Sequence, residues 1–349
     1  MDKRKLLAII IVVFGVMFTS GTFYFYQVVY VSNLLVDQED TYLYLGKEAT
    51  FKSVQDSLYN NNIVHDLVPF SFLAKLMDYD KMVKPGRYLF KKDMSNIEAI
   101  QLLRSGNQAP VRITFNNIRY KKDLVDKITQ NLSMSATELD KSLNDFIDNN
   151  TYGFNQDNII SVFIPNTYEV YWNISPDGLI ERMVQEYKKF WDDERLAKAG
   201  ELQMTPIEIS ILASIVQAEQ QILQDEWKTI AGLYINRLKR RMKLDSDPTI
   251  VFAIGDFSIS RVLEVHKQID SPYNTYLNRG LPPGPITMPP IATIDAVLNY
   301  QEHRFLYMCA REDFSGYHHF ATNLQDHLIN AKRYQRQLSI EQRKARQNQ

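Results

Sequence analysis

Hydrophobic and polar positions divide the chain unevenly. Residues 6–36 carry no charged side chain. The most apolar part, residues 6–26, has the ~20 residues a helix needs to cross ~30 Å of hydrocarbon. Tyr24, Tyr26 and Tyr30 fall where an interfacial aromatic belt sits, and Lys3, Arg4 and Lys5 precede the apolar run. The positive-inside rule then keeps the N-terminus in the cytoplasm and puts the rest of the chain outside it. A cleaved signal peptide is the competing reading. Thr19, Ser20 and Gly21 are small, but no A-x-A site follows and bulky Phe23, Tyr24, Phe25 and Tyr26 come next. An uncleaved single-pass anchor is therefore expected.

Beyond the anchor, the pattern predicts short helices and strands. Residues 37–48 read as a linker or first strand. Val54 and Leu58 at i, i+4 spacing predict a helix over 53–61, and a second follows over 69–77. Lys84-Pro85-Gly86 marks a turn into a strand at 87–90. Ser95 with Glu98 three residues on predicts a capped helix over 95–105, stopped by Gly106. A strand over 111–115 completes a small α+β unit. Residues 121–149 read as two helices, the second capped by Ser135 or Thr137, and 163–168 as a strand with a turn. One long helix is expected from Pro176 to about residue 198, because proline is favourable at a first helical position. Thr205, Pro206 and Glu208 form a strong start signal for a helix running to about residue 221. A further helix spans about 226–241, with Trp227, Ala231, Tyr234 and Leu238 on one face. Residues 244–290 are rich in turns. Strands are expected at 305–309 and 317–321, and a polar helix from about Asn323.

Composition narrows the class. Of 349 residues, 45% are hydrophobic and 23% charged, so a sizeable folded core is expected rather than disorder. Lys+Arg number 40 against Asp+Glu 41, which gives no global field for nucleic acid. The lone cysteine, Cys309, cannot form an internal disulfide, and no Cys cluster is available for zinc.

The helix from Pro206 carries the most suggestive chemistry. Ile207, Ile211 and Ile215 form a stripe, and Glu219 continues it at i+4. A carboxyl at the end of an apolar face is partly desolvated, which raises its pKa toward that of a working general acid. The bland alternative is a solvated glutamate at a frayed helix end, salt-bridged to Arg237 or Lys239. Downstream, Pro- and Gly-rich turns fix Tyr, Asn and Thr side chains in the manner of a neutral-sugar site. Asn236, Asp247, Thr249, Tyr273, Asn274, Thr275 and His318 are the candidate substrate-binding residues. His318 and His319 alternate along a strand, so at most one faces a cleft. No H-E-x-x-H pattern occurs, and no metal or cofactor is expected.

Six blocks, in order and spacing, resemble the MltG/YceG-like family of endolytic murein transglycosylases. They are residues 212–219 (Leu-Ala-Ser-Ile-Val-Gln-Ala-Glu), 231–238, 242–249 (Met-Lys-Leu-Asp-Ser-Asp-Pro-Thr), 273–276 (Tyr-Asn-Thr-Tyr) with 280–284 (Gly-Leu-Pro-Pro-Gly), 316–320 and 326–327. The turn Lys84-Pro85-Gly86-Arg87-Tyr88 resembles that of the family's LysM-like subdomain, and Pro165-Asn166-Thr167-Tyr168 a further block. The resemblance implies cleavage between N-acetylmuramic acid and N-acetylglucosamine in nascent strands, leaving 1,6-anhydro ends and limiting strand elongation. It implies Glu219 as the catalytic acid/base. One departure stands out: many members carry two glutamates here, and Gln217 replaces the first.

The expected fold class is α+β: a cytoplasmic tip and transmembrane anchor over 1–36, a LysM-like subdomain over 37–112 and a YceG-like catalytic domain over 113–349. The expected place is the inner membrane, with the catalytic domain in the periplasm. Expected partners are peptidoglycan strands and cell-wall synthases of the penicillin-binding type, with no nucleic acid. The alternative is a non-catalytic, membrane-tethered glycan-binding scaffold for those synthases.

Overall fold

The computed structural model describes residues 2–347. The architecture is mixed α+β. The chain forms two compact units. The first is built on the residues up to Ile113, with Thr129–Ser135 and Glu169–Ser175. The second takes Thr114–Ile128, Ala136–Tyr168 and the chain from Pro176 onward.

The first unit begins with helix α1 (Lys3–Tyr30), whose side chains are exposed up to Gln27; Val28 and Val29 are buried. Strand β1 (Ser32–Leu34) follows, then β2 (Thr41–Leu45), α2 (Phe51–Asn60), α3 (Leu67–Leu76), β3 (Gly86–Phe90), β4 (Met94–Ser95) and α4 (Asn96–Ser105). β2 and β3 pair antiparallel, with Leu43 opposite Tyr88, so helices α2 and α3 sit between two paired strands in a β–α–α–β order. The period-2 alternation of a strand turns Leu43 and Leu45 inward and Tyr42 and Tyr44 outward. The inward set packs with Val54, Leu58, Phe70, Leu73, Tyr88, Phe90, Ile100 and Leu103. The expected capping box of α4 forms: Ser95 Oγ accepts from the Glu98 amide, and the Glu98 carboxylate accepts from the Ser95 amide.

Strand β5 (Val111–Thr114) pairs with β6 (Thr167–Val170), on either side of α5 (Lys121–Thr129) and α6 (Ala136–Asn149). The second unit continues through α7 (Pro176–Phe190), α8 (Asp193–Glu201), α9 (Pro206–Glu219), α10 (Trp227–Lys239), α11 (Asp247–Ile254), α12 (Ile291–Leu298), the antiparallel pair β7 (Tyr307–Ala310) and β8 (His318–Ala321), and α13 (Leu324–Gln347). Helix α9 is buried on all sides from Ile209 to Val216 and is packed by α8, α10, α11 and α12. A helix with no polar face belongs in a core, and this one delivers its C-terminal residue to the interior of the unit.

Two segments differ from expectation. The long helix expected to residue 198 breaks at Trp191, because the Asp192 carboxylate accepts from the Arg195 amide (2.9 Å) and starts a new helix, α8. The turn-rich stretch contains α11 and leads into α12, each of eight residues. Their prolines, Pro248 and Pro290, lie in the first turn or at the cap, where a missing N–H breaks no helical bond.

Gly284, in the Gly-Leu-Pro-Pro-Gly loop, fits only as glycine. A Cβ there would overlap the Asp157 carbonyl and lie 2.8 Å from the Tyr273 hydroxyl. Gly284→Ala is expected to lower stability by about 1–3 kcal/mol through overpacking. An unchanged urea midpoint would show that the Asp157 backbone yields freely.

Candidate active site

Helix α9 ends because Gln220 leaves the helical region (φ −136°, ψ 95°). The side chain of Gln220 then pins the following turn: its Oε1 accepts from the amides of Ile222 (3.2 Å) and Leu223 (3.1 Å), and its Nε2 donates to Glu226 (2.9 Å) and to the Gly316 carbonyl (2.9 Å). Glu219 is thereby fixed at the last helical position, only partly accessible.

Both protein donors to Glu219 reach the same oxygen. Ser246 Oγ donates to Oε1 at 2.5 Å and Tyr234 Oη donates to it at 2.6 Å. Among the described residues no hydrogen bond reaches Oε2. Glu219 lines an open groove of about 550 Å³ together with Tyr234, Asp247, Tyr276, Tyr307 and His318. Burial raises the Glu219 pKa, the hydroxyls of Ser246 and Tyr234 pull it back, the Asp247 charge raises it further and His318 lowers it; the net direction is upward. Burial and the neighbouring Glu219 push the Tyr234 phenol well above its ordinary value, so it remains a donor. The salt bridges of the bland alternative do not form. Arg237 turns to Asp245 and three backbone carbonyls, and Lys239 to the Tyr300 hydroxyl.

Ser246 sits at the N-cap of α11 but makes no side-chain cap bond, since its hydroxyl serves Glu219 instead. Two of the candidate residues hold it there. Thr275 Oγ1 accepts from the Ser246 amide (3.0 Å), and Thr249 Oγ1 lies 2.7 Å from the Ser246 carbonyl and 2.8 Å from Thr275 Oγ1. Thr249 and Thr275 are buried and act behind the groove wall. Asn274 is also buried; it donates to the carbonyls of Lys267 and Ile269 and accepts from the amides of Tyr276 and Leu277, which fixes its loop. Asp247 is exposed at the groove edge, accepting from the Tyr276 hydroxyl at 2.6 Å. Tyr273 packs on Phe252 and reaches Asp157 at 3.5 Å, away from the groove-lining set. Asn236 donates to the carbonyls of His303 (2.9 Å) and Phe305 (3.1 Å) and holds that turn.

His318 does line the groove. Its Nδ1 lies 2.7 Å from Glu226 Oε2, and its amide donates to Oε1 of the same carboxylate at 2.9 Å. Glu226 is buried and orients the ring, leaving Nε2 without a protein partner among the described residues. The partner of His319 is Glu312, at 2.7 Å. Sequence reasoning did not single out Ser246, Tyr234, Tyr276 or Glu226 as functional. Glu226 and Tyr234 come from the N-cap and body of α10, Ser246 from the residue before α11 and Tyr276 from a loop, and they meet only in the fold.

Removing the Ser246 hydroxyl takes away a bond that favours the ionised carboxyl. Hydrogen bonds to charged groups are stronger than neutral ones, so Ser246→Ala should raise the Glu219 pKa further. NMR titration of the labelled Glu219 carboxyl carbon checks this, and a downward shift would contradict the assigned donor.

The model of the YceG-like family matches residues 43–333. The chain belongs to the YceG-like family. Glu219 and every groove residue named above fall inside the matched stretch. This YceG-like chain is 26% identical over 358 residues to a Streptococcus pneumoniae protein (strain D39) named endolytic murein transglycosylase, with 93% of the chain covered. It is 28% identical over 265 residues to a Bacillus subtilis protein of the same name, covering 74% of the chain and 70% of that protein. The chain spans only 64% of the length of the pneumococcal relative. A solved YceG-like protein of Listeria monocytogenes shares the fold, with a TM-score of 0.53 at 22% identity, over 83% of this chain and 98% of that one.

Proposed function

We propose that the chain is an endolytic lytic transglycosylase that cleaves the N-acetylmuramic acid–N-acetylglucosamine bond within peptidoglycan strands. The observation that carries this reading is the groove-lining Glu219 carboxyl, with two hydroxyl donors on one oxygen, no hydrogen bond from the described residues on the other, and its pKa raised by burial. Ordinary glycosidases need a second carboxylate to activate water or attack the sugar. A lytic reaction does not. Glu219 protonates the glycosidic oxygen as the C1–O bond breaks. The muramyl C6 hydroxyl attacks the anomeric carbon and returns its proton to Glu219. The nucleophile belongs to the substrate, so its proximity supplies a large effective molarity. The relatives, named endolytic murein transglycosylases, and the six sequence blocks support the substrate class.

Helix α1 serves as a single-pass inner-membrane anchor, with Lys3, Arg4 and Lys5 cytoplasmic and the catalytic unit periplasmic. The β–α–α–β order of the first unit supports reading it as LysM-like and glycan-binding. Cell-wall synthases of the penicillin-binding type are the proposed protein partners, through which strand elongation is limited. A second reading, a glycan-binding scaffold without catalysis, rests on Gln217 in place of the family's first glutamate.

The test is mass analysis of peptidoglycan digested with the full chain. Fragments one water lighter than hydrolysis products are expected. Hydrated reducing ends would make the enzyme a hydrolase. Binding without cleavage would favour the scaffold.

A further inference from the structure

Helix α3 breaks the usual pattern of a surface helix. Its inner side, Phe70, Leu73 and Ala74, is buried in the core of the first unit. Its outer side should then be polar, yet Val68, Phe72 and Leu76, at i, i+4 and i+8, are 71%, 56% and 61% exposed. The polar side chains within α3 are Ser71, which hydrogen-bonds Gln55 (2.7 Å) and the Leu67 carbonyl (2.7 Å), and Lys75, which is exposed at the last turn. A solvent-facing stripe of three large apolar side chains on one helix needs a cover.

The connections of α3 say where that stripe lies. The carbonyl of Val28, in the last turn of α1, accepts from Asn96 Nδ2 at 2.7 Å. Asn96 Oδ1 accepts from Asn33 Nδ2 at 2.7 Å, and the same amide donates to the Asp66 carbonyl at 2.7 Å. Asn33 Oδ1 in turn accepts from the Asp66 amide, and Asp66 caps α3 through the Val68 amide (2.9 Å). Asn33 and Asn96 are buried, so this relay is shielded from competing water. The end of α1 and the start of α3 are thus fastened together. The apolar run of α1 ends near residue 26, and at 1.5 Å per residue Val28 lies only ~3 Å beyond it. With α1 as the membrane span, this puts Val68 near the edge of the hydrocarbon. Val31, 45% exposed, extends the apolar surface from the end of α1.

We infer that Val68, Phe72 and Leu76 of α3 are buried in the lipid interface beside the membrane span. This rests on the single-pass anchor proposed above. The first unit then lies against the bilayer, with the Lys75 ammonium reaching up to lipid phosphates along its apolar stem.

The test uses the full chain with Cys309→Ser, carrying one environment-sensitive fluorophore on a cysteine at position 14, 68, 72 or 76. It is reconstituted into phosphatidylethanolamine–phosphatidylglycerol vesicles with and without brominated acyl chains. Position 14, inside the span, reports insertion. The expected result is blue-shifted emission at 68, 72 and 76, with a loss of intensity in brominated vesicles approaching that at 14. Quenching at 14 with water-like, unquenched emission at 68, 72 and 76 overturns the inference and leaves the anchor standing. No quenching at 14 overturns the anchor and the inference together. Self-quenching at 72 that grows with the chain-to-lipid ratio would show a second copy covering the stripe instead of lipid, and would also overturn it.

Discussion

Glu219→Gln should reduce glycan cleavage by about 10²–10⁴-fold, the range a positioned general acid–base contributes, while the folded chain becomes no less stable. The two outcomes have one cause. Burial raises the Glu219 pKa above that of a free glutamate, so in the folded protein the ionised form is penalised. Below the unfolded value, both states are protonated and the site makes no pH-dependent difference. As pH rises through the folded value, the folded state resists losing the proton and stability falls. Glutamine carries no such penalty, and its Oε1 still accepts from Ser246 and Tyr234. The melting temperature of the variant should match that of the wild type at acid pH and equal or exceed it at neutral pH. In the proposed mechanism the group starts protonated, so the alkaline limb of the pH–rate profile should follow the raised Glu219 pKa. A variant that keeps wild-type cleavage would remove Glu219 from the mechanism. One that loses cleavage together with its melting transition would show only that the fold had failed.

Arg237→Ala should be the most destabilising single change near the groove, at about 3 kcal/mol, because each buried carbonyl left without its donor costs about 1–3 kcal/mol. Arg237 is 6% exposed. Nε donates to the Leu306 carbonyl at 2.6 Å, and one terminal nitrogen donates to the carbonyls of Lys243 and Leu244 and to Asp245 Oδ2, at 2.9–3.0 Å. Its charged centre lies 5.2 Å from the Tyr307 ring. One side chain thus ties α10 to the segment leading into β7 and to the loop that presents Ser246. Alanine leaves those carbonyls buried without donors and opens a void. Lysine retains the charge but not the planar fork, and should recover only part of the loss. Urea unfolding with an unchanged slope and a lower midpoint is the expected record. A midpoint within error of the wild type would mean that water replaces the guanidinium without penalty.

Local chemistry was readable in the sequence. The capping boxes at Ser95–Glu98 and Thr205–Glu208 need only residues three apart, and both form. The uncharged run at the N-terminus and the isoleucine stripe leading to Glu219 are likewise patterns within one segment. Other features depend on distant segments meeting. Ser246 lies 27 positions from Glu219 and Tyr234 lies 15 away, on separate elements, and no periodicity links them. Ser246 even carries a misleading local signal, since a serine before a helix ordinarily caps it. The Asn274 side chain looked like a sugar ligand because amides suit sugars, but an amide suits a tight loop equally well. Helices α11 and α12 were hidden because prolines read as breakers until their place in the first turn is known. The relay through Asn33 and Asn96 joins segments 63 residues apart.

The one-sided grip on the Glu219 carboxyl constrains the choreography of the reaction. With Ser246 and Tyr234 both bonded to a single oxygen, the group cannot spin to present its other face without losing two short bonds. In the proposed reaction, the atom that releases the proton would then also be the atom that retrieves it. The departing bridge oxygen and the incoming C6 hydroxyl would occupy one spot in succession, the saccharide pivoting while the acid stays still.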